Sequence, residues 1–68
     1  MSSIEEFEPG PTIRVGQTWI AKSSGMVAKV TRLEKIDEQW CSVTLTTSDG
    51  AWAKTLPHTR LLAYWSLQ

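Results

Sequence analysis

Turn signals recur along this chain at a nearly constant interval, and that rhythm restricts the fold more than any other feature. They fall at Ser23-Ser24-Gly25, Ile36-Asp37-Glu38-Gln39, Ser48-Asp49-Gly50 and Pro57-His58, the spacing of about 8 to 12 residues expected of short strands in a small barrel or sandwich. The segments between them carry strand chemistry. Ile13 to Ala21 and Trp40 to Thr47 are dominated by β-branched and aromatic residues, which pack well on a pleated surface. One segment competes for helix: Val27, Val30, Leu33 and Ile36 recur every third residue, as along a helix face. Gly25 in front of it is hairpin chemistry, and no capping pattern precedes it, so a strand is expected there too.

The turn at Asp49-Gly50 sets a register. With these two residues as the loop, or with a four-residue loop from Ser48 to Ala51, Thr47 faces Trp52, Leu45 faces Lys54 and Val43 faces Leu56. Residues directly opposed share a face. Cys41, Val43, Leu45, Trp52 and Leu56 then line the core, and Ser42, Thr44, Thr46, Ala53 and Thr55 form a polar outer side. Lys54 suits the inward face only at the mouth of a barrel, with its stem covered and its ammonium in water. Pro57 cannot donate to a ladder and ends the strand. His58 to Leu62 then has room for one tight helical turn before a last strand over Ala63 to Leu67.

Sixty-eight residues hold one domain, and a chain of this size buries only about 60% of the surface its unfolded form exposes. A single cysteine, Cys41, excludes an internal disulfide and a multi-cysteine zinc site, and fits a reducing cytoplasm. The start of the chain lacks the basic and apolar regions of a signal peptide, and no apolar run approaches the roughly 18 residues of a membrane helix. A soluble, cytoplasmic protein without membrane contact is the expectation. The formal net charge is zero, yet it is unevenly spread. Residues 1 to 12 carry Glu5, Glu6 and Glu8 and no base, while the rest carries seven bases against four acids. With Pro9-Gly10-Pro11 behind it, the acidic stretch is expected to be a disordered arm over residues 1 to 11, ahead of a domain over 12 to 68. Such an arm serves as a solubilising leader, or lies over a basic patch and competes with an anionic partner.

The layout of four strands, a single turn and a closing strand resembles the SH3-like barrel, an architecture found in SH3, Tudor and KOW domains and in many small proteins of phages and mobile elements. The resemblance covers residues 13 to 67. Its marks are Val15-Gly16 entering the first strand, Trp19 and Ala21 at inward spacing, and the turn from Pro57 to Leu62. It implies an all-β, five-stranded barrel and little about activity, because one fold hosts unrelated functions. The length and leader are also similar to the small plasmid-borne type II dihydrofolate reductases. Those carry Val-Gln-Ile-Tyr-Pro before the closing turn, where this chain has Ala53-Lys54-Thr55-Leu56-Pro57. The glutamine and tyrosine of that site are missing, so the reductase activity is not carried over.

Catalytic chemistry finds little support. One histidine and one cysteine are the whole supply for a nucleophile and its base; Cys41 is expected in the core as an inert thiol, and His58 in a turn as an exposed or capping imidazole. Asp37-Glu38 alone does not make a metal site. No enzyme activity, metal or cofactor is expected. Four tryptophans, Trp19, Trp40, Trp52 and Trp65, exceed what so small a core encloses. Trp19 and Trp52 have core parity, Trp40 has the opposite parity, and one of the adjacent pair Tyr64 and Trp65 must face out, as must Ile20 beside Trp19. Exposed apolar surface of this kind marks interaction sites. The expected function is a protein-interaction module, able to self-associate, that uses Trp40, Ile20 and Tyr64 or Trp65, of the kind that acts as a regulator or inhibitor in mobile elements. The alternative is a nucleic-acid binder that sets Arg14, Lys22, Lys29, Arg32, Lys35, Lys54 and Arg60 on phosphates and stacks its exposed aromatics on nucleobases. The body charge of +3 is weak for that role. A third arrangement, an aromatic cage for a methylated lysine, needs converging rings and a nearby acid.

Overall fold

The computed structural model describes residues 2 to 68; Met1 lies outside them, as does the side chain of Ser2. The described residues are mostly β and form eight strands and one short helix: β1 (Ser2–Ile4), β2 (Glu6–Phe7), β3 (Ile13–Arg14), β4 (Thr18–Ala21), β5 (Val27–Asp37), β6 (Trp40–Thr46), β7 (Ala53–Pro57), α1 (His58–Tyr64) and β8 (Trp65–Leu67). The main sheet runs β7-β6-β5-β4-β8, with β1 also on β5; β2 and β3 pair separately. All pairings are antiparallel. This is the expected meander followed by a helical turn and a last strand, but the path ends at β7 and β8 with no ladder between them among the described residues. The sheet is open, and closure into a barrel is not present.

The hairpin register holds in full. Leu45 opposes Lys54 and Val43 opposes Leu56, and Cys41, Val43, Leu45 and Leu56 are buried. The connection is the four-residue loop: Thr47 N–H donates to the Trp52 carbonyl at 3.0 Å and Gly50 N–H to the Thr47 carbonyl at 2.9 Å. Only Gly50 takes a positive φ, +74°, and Asp49 does not, so the type I′ turn, which needs two such residues, does not form. Asp49 instead braces the loop through its carboxylate, which accepts from the Thr47 hydroxyl at 2.6 Å and the Ala51 N–H at 3.0 Å.

The expected strand over 26 to 36 is indeed present as β5, which starts at Val27 and leaves Met26 outside it, and one step of the threefold spacing has a local cause. The register shifts between Val30 and Arg32 and again between Lys35 and Asp37. The first shift inserts Thr31 as an extra residue, so the buried series runs Ala28, Val30, Leu33; this bulge gives the three-residue step from Val30 to Leu33, while Val27 and Ile36 of the threefold series are exposed. The N-terminal half of β5 pairs with β4 and the C-terminal half with β1.

Within the arm expected to be disordered over residues 1 to 11, the described residues include the strands β1 and β2. Ser2, Ser3 and Ile4 oppose Lys35, Glu34 and Leu33, Glu6 and Phe7 oppose Arg14 and Ile13, and Ile4 and Phe7 pack against the core. Composition hid this because two apolar residues among acids look too few to order a segment, while the uncovered edge of a long strand supplies the missing backbone partners. A radius of gyration of 11.0 Å matches a compact chain of this length. The first expected strand, Ile13 to Ala21, is broken at Val15-Gly16, where Gly16 has φ +97°. Gln17 fastens that corner: its Oε1 accepts from Arg14 N–H at 2.9 Å and from the Trp19 indole N–H at 3.2 Å, and its Nε2 donates to the Thr12 carbonyl at 3.1 Å. No helix among the described residues is long and apolar enough to cross a membrane.

Candidate functional site

The helix after Pro57 is longer than the single turn expected, and this changes where the last aromatics point. Arg60, Leu61, Leu62 and Ala63 are good helix formers, Leu61 is fully buried, and α1 therefore continues to Tyr64. Strand alternation does not apply to Tyr64 and Trp65, because only Trp65 belongs to a strand. Tyr64 stands 63% exposed at the helix end, and Trp65 half-buried against the core.

Between the free edge of β7 and the α1–β8 corner lies a groove of about 300 Å³. Trp52 and Trp65 meet within it with ring centroids 6.0 Å apart and planes tilted by 34°. Lys54, Arg60 and Tyr64 stand on its walls, with Thr55, Leu56 and Pro57 along the strand. Register explains the β7 contribution: Trp52, Lys54 and Leu56 alternate onto one face. Lys54 is thus the mouth residue its parity demanded, inward by register yet exposed. The lining holds three aromatic rings and two cations and no carboxylate.

Four of the six residues singled out from sequence, Lys54, Arg60, Tyr64 and Trp65, converge here, and Trp40 and Ile20 do not. Trp40 is 42% exposed, as its parity requires, but it lies at the start of β6 beside Asp37, Glu38 and Gln39. Ile20 is half-buried on β4, opposite Val27 and Ser66. Trp40 and Ile20 therefore lie outside this groove, which gathers only Tyr64 and Trp65 of the apolar residues expected to act together. Trp52, expected in the core by parity, is half-buried and packs against it; what sequence reasoning missed is that it also lines the groove. The signal was the neighbour of Trp52 with the same parity, Lys54, which showed that this face reaches solvent.

His58 also departs from expectation. It is buried, 5% exposed, and its Nδ1 accepts the Cys41 backbone N–H at 3.2 Å, which fixes the lone pair on that nitrogen. Phe7 and Trp40 contact it edge-on at 4.9 and 5.3 Å between centroids. Its role is to tie α1 to β6 and to the N-terminal strands. Cys41 is free and buried, and burial pushes its thiol up, against a smaller opposing effect of a hydrogen bond to the Glu34 backbone. A thiol held protonated is a poor nucleophile. No group of three or more metal-ligating side chains occurs among the described residues. Compared with known proteins, the chain matches no family model, no curated protein and no solved structure.

Proposed function

We propose that this protein is a small, non-enzymatic interaction module that takes a segment of a partner protein into the groove between β7 and the α1–β8 corner. The observation that carries this reading is the meeting of Trp52, Tyr64 and Trp65 with Lys54 and Arg60 in one concavity without a carboxylate. Trp, Tyr and Arg are the side chains that most often anchor protein interfaces. The order of strands, with a helical segment between the last two, supports the SH3-like layout, in an open form. The free, buried Cys41 supports a reducing compartment such as the cytoplasm.

Charge separates this from the other readings. A methyl-lysine cage needs an acid beside its rings, and this groove offers two cations instead. A nucleic-acid binder needs a continuous basic track, whereas Arg14 is paired with Glu6 at 2.6 Å and Arg32 lies 3.6 Å from Glu34. Only Lys54 and Arg60 face the groove. Selection of a displayed random decapeptide library against the protein tests the reading. Peptides are expected to be enriched on the native protein and lost on the Arg60→Ala/Tyr64→Ala variant, whose changes fall on exposed side chains. Failure to enrich any peptide would overturn it, and salt-sensitive binding of a labelled oligothymidylate would then favour nucleic acid.

A further inference from the structure

The groove runs along a strand edge with unused backbone groups. Thr47 and Trp52 form a hydrogen-bonded pair through the Thr47 N–H and the Trp52 carbonyl. Antiparallel ladders alternate, so Lys54 and Leu56 turn their backbone groups toward β6, and Ala53 and Thr55 turn theirs to the other side. That side has no strand partner among the described residues, because β7 ends the sheet. Pro57 opposes Ser42, two positions beyond Thr55, so its missing N–H also falls on the free edge, where a proline is tolerated. The groove lining includes Lys54 and Leu56 of one face and Thr55 of the other; the concavity therefore follows the edge itself.

Resting on the binding-module reading, we infer that the occupant is an extended acidic peptide that adds to β7 as a further strand, bonding to the backbone of Ala53 and Thr55 while its carboxylates meet Lys54 and Arg60 and an apolar side chain covers Trp52 and Trp65. Main-chain bonds give such strand addition its affinity, and alternate side chains give it specificity. The sign of the groove selects the occupant. A second copy of this chain is disfavoured, because the register that uses Ala53 and Thr55 on both copies sets Lys54 against Lys54, and like charges directly opposed repel. An acidic strand in the same register places a carboxylate there.

The test uses the full chain and the tightest decapeptide recovered from the library. Hydrogen exchange of individual amides is read by NMR with and without the peptide. Protection of the Ala53 and Thr55 amides by at least about tenfold is expected, as for amides entering a ladder. The enriched peptides are expected to carry two or more Asp or Glu. Lys54→Glu/Arg60→Glu should weaken binding by about tenfold or more, the loss of at least one close charge pair. A peptide N-methylated at the amides that face β7 should lose binding. A peptide that binds the groove but leaves both amides exchanging freely, or that tolerates N-methylation, overturns strand addition and leaves the binding-module reading standing. Enrichment of neutral or basic peptides overturns the acidic occupant, and recovery of no peptide overturns both.

Discussion

At the scale of single residues, parity decides most of what the sequence shows and partnership decides what it hides. Trp19 is 3% exposed and Trp40 42%, as alternation along their strands requires. His58 carried no such signal. Its hydrogen-bond partner lies 17 residues away in sequence and one of its ring partners, Phe7, lies in a segment whose composition looked disordered. A lone histidine after a proline thus read as a surface residue, and only the folded chain shows it as a tie between three elements. Replacing it tests that role. His58→Ala leaves the Cys41 N–H without an acceptor in a buried place, a loss of about 1 to 3 kcal/mol before any loss of ring packing. Urea unfolding should show a lower midpoint with an unchanged slope; a change below about 0.5 kcal/mol, the usual size of a surface substitution, would remove His58 from the framework.

Among the elements, hairpins were legible and interruptions were not. The β6–β7 register followed from one turn and one rule of alternation. The bulge at Thr31 in β5 was visible only as one step of a misleading threefold spacing, because an inserted residue in a strand and a helical face both displace the apolar series from period two. The N-terminal strands were invisible, since an edge that needs covering lies far along the chain from the residues that cover it. The β6–β7 loop carries a pH dependence of known sign. The Thr47 hydroxyl, and then the Ala51 N–H, hold the Asp49 carboxyl below its ordinary value. A carboxylate whose folded value is depressed contributes stability above its unfolded value, near pH 4, and that contribution disappears as pH falls through the lower folded value. An NMR titration should therefore place the Asp49 midpoint below that of a free aspartate, and Asp49→Asn should flatten the acid limb of the stability curve. A midpoint at or above the free value would mean that the loop bonds do not persist in solution.

For the whole molecule, the governing fact is that the sheet stops short of closing. A closed barrel would have hidden the backbone of β7 and left four indoles competing for one core. The open form sends Trp19 inside, leaves Trp40 beside the acidic turn at Asp37-Glu38, and sets Trp52 and Trp65 across a gap guarded by Lys54, Arg60 and Tyr64. The sequence made the surplus of rings plain but could not say which of them meet, because that depends on how far α1 runs and on where the two ends of the sheet come to rest. The four indole N–H signals in one proton–nitrogen correlation spectrum report on these places separately. On addition of a library-selected peptide, the Trp52 and Trp65 signals should shift while those of Trp19 and Trp40 stay. Movement of Trp40 alone, with Trp52 and Trp65 unmoved, would contradict the groove as the binding surface.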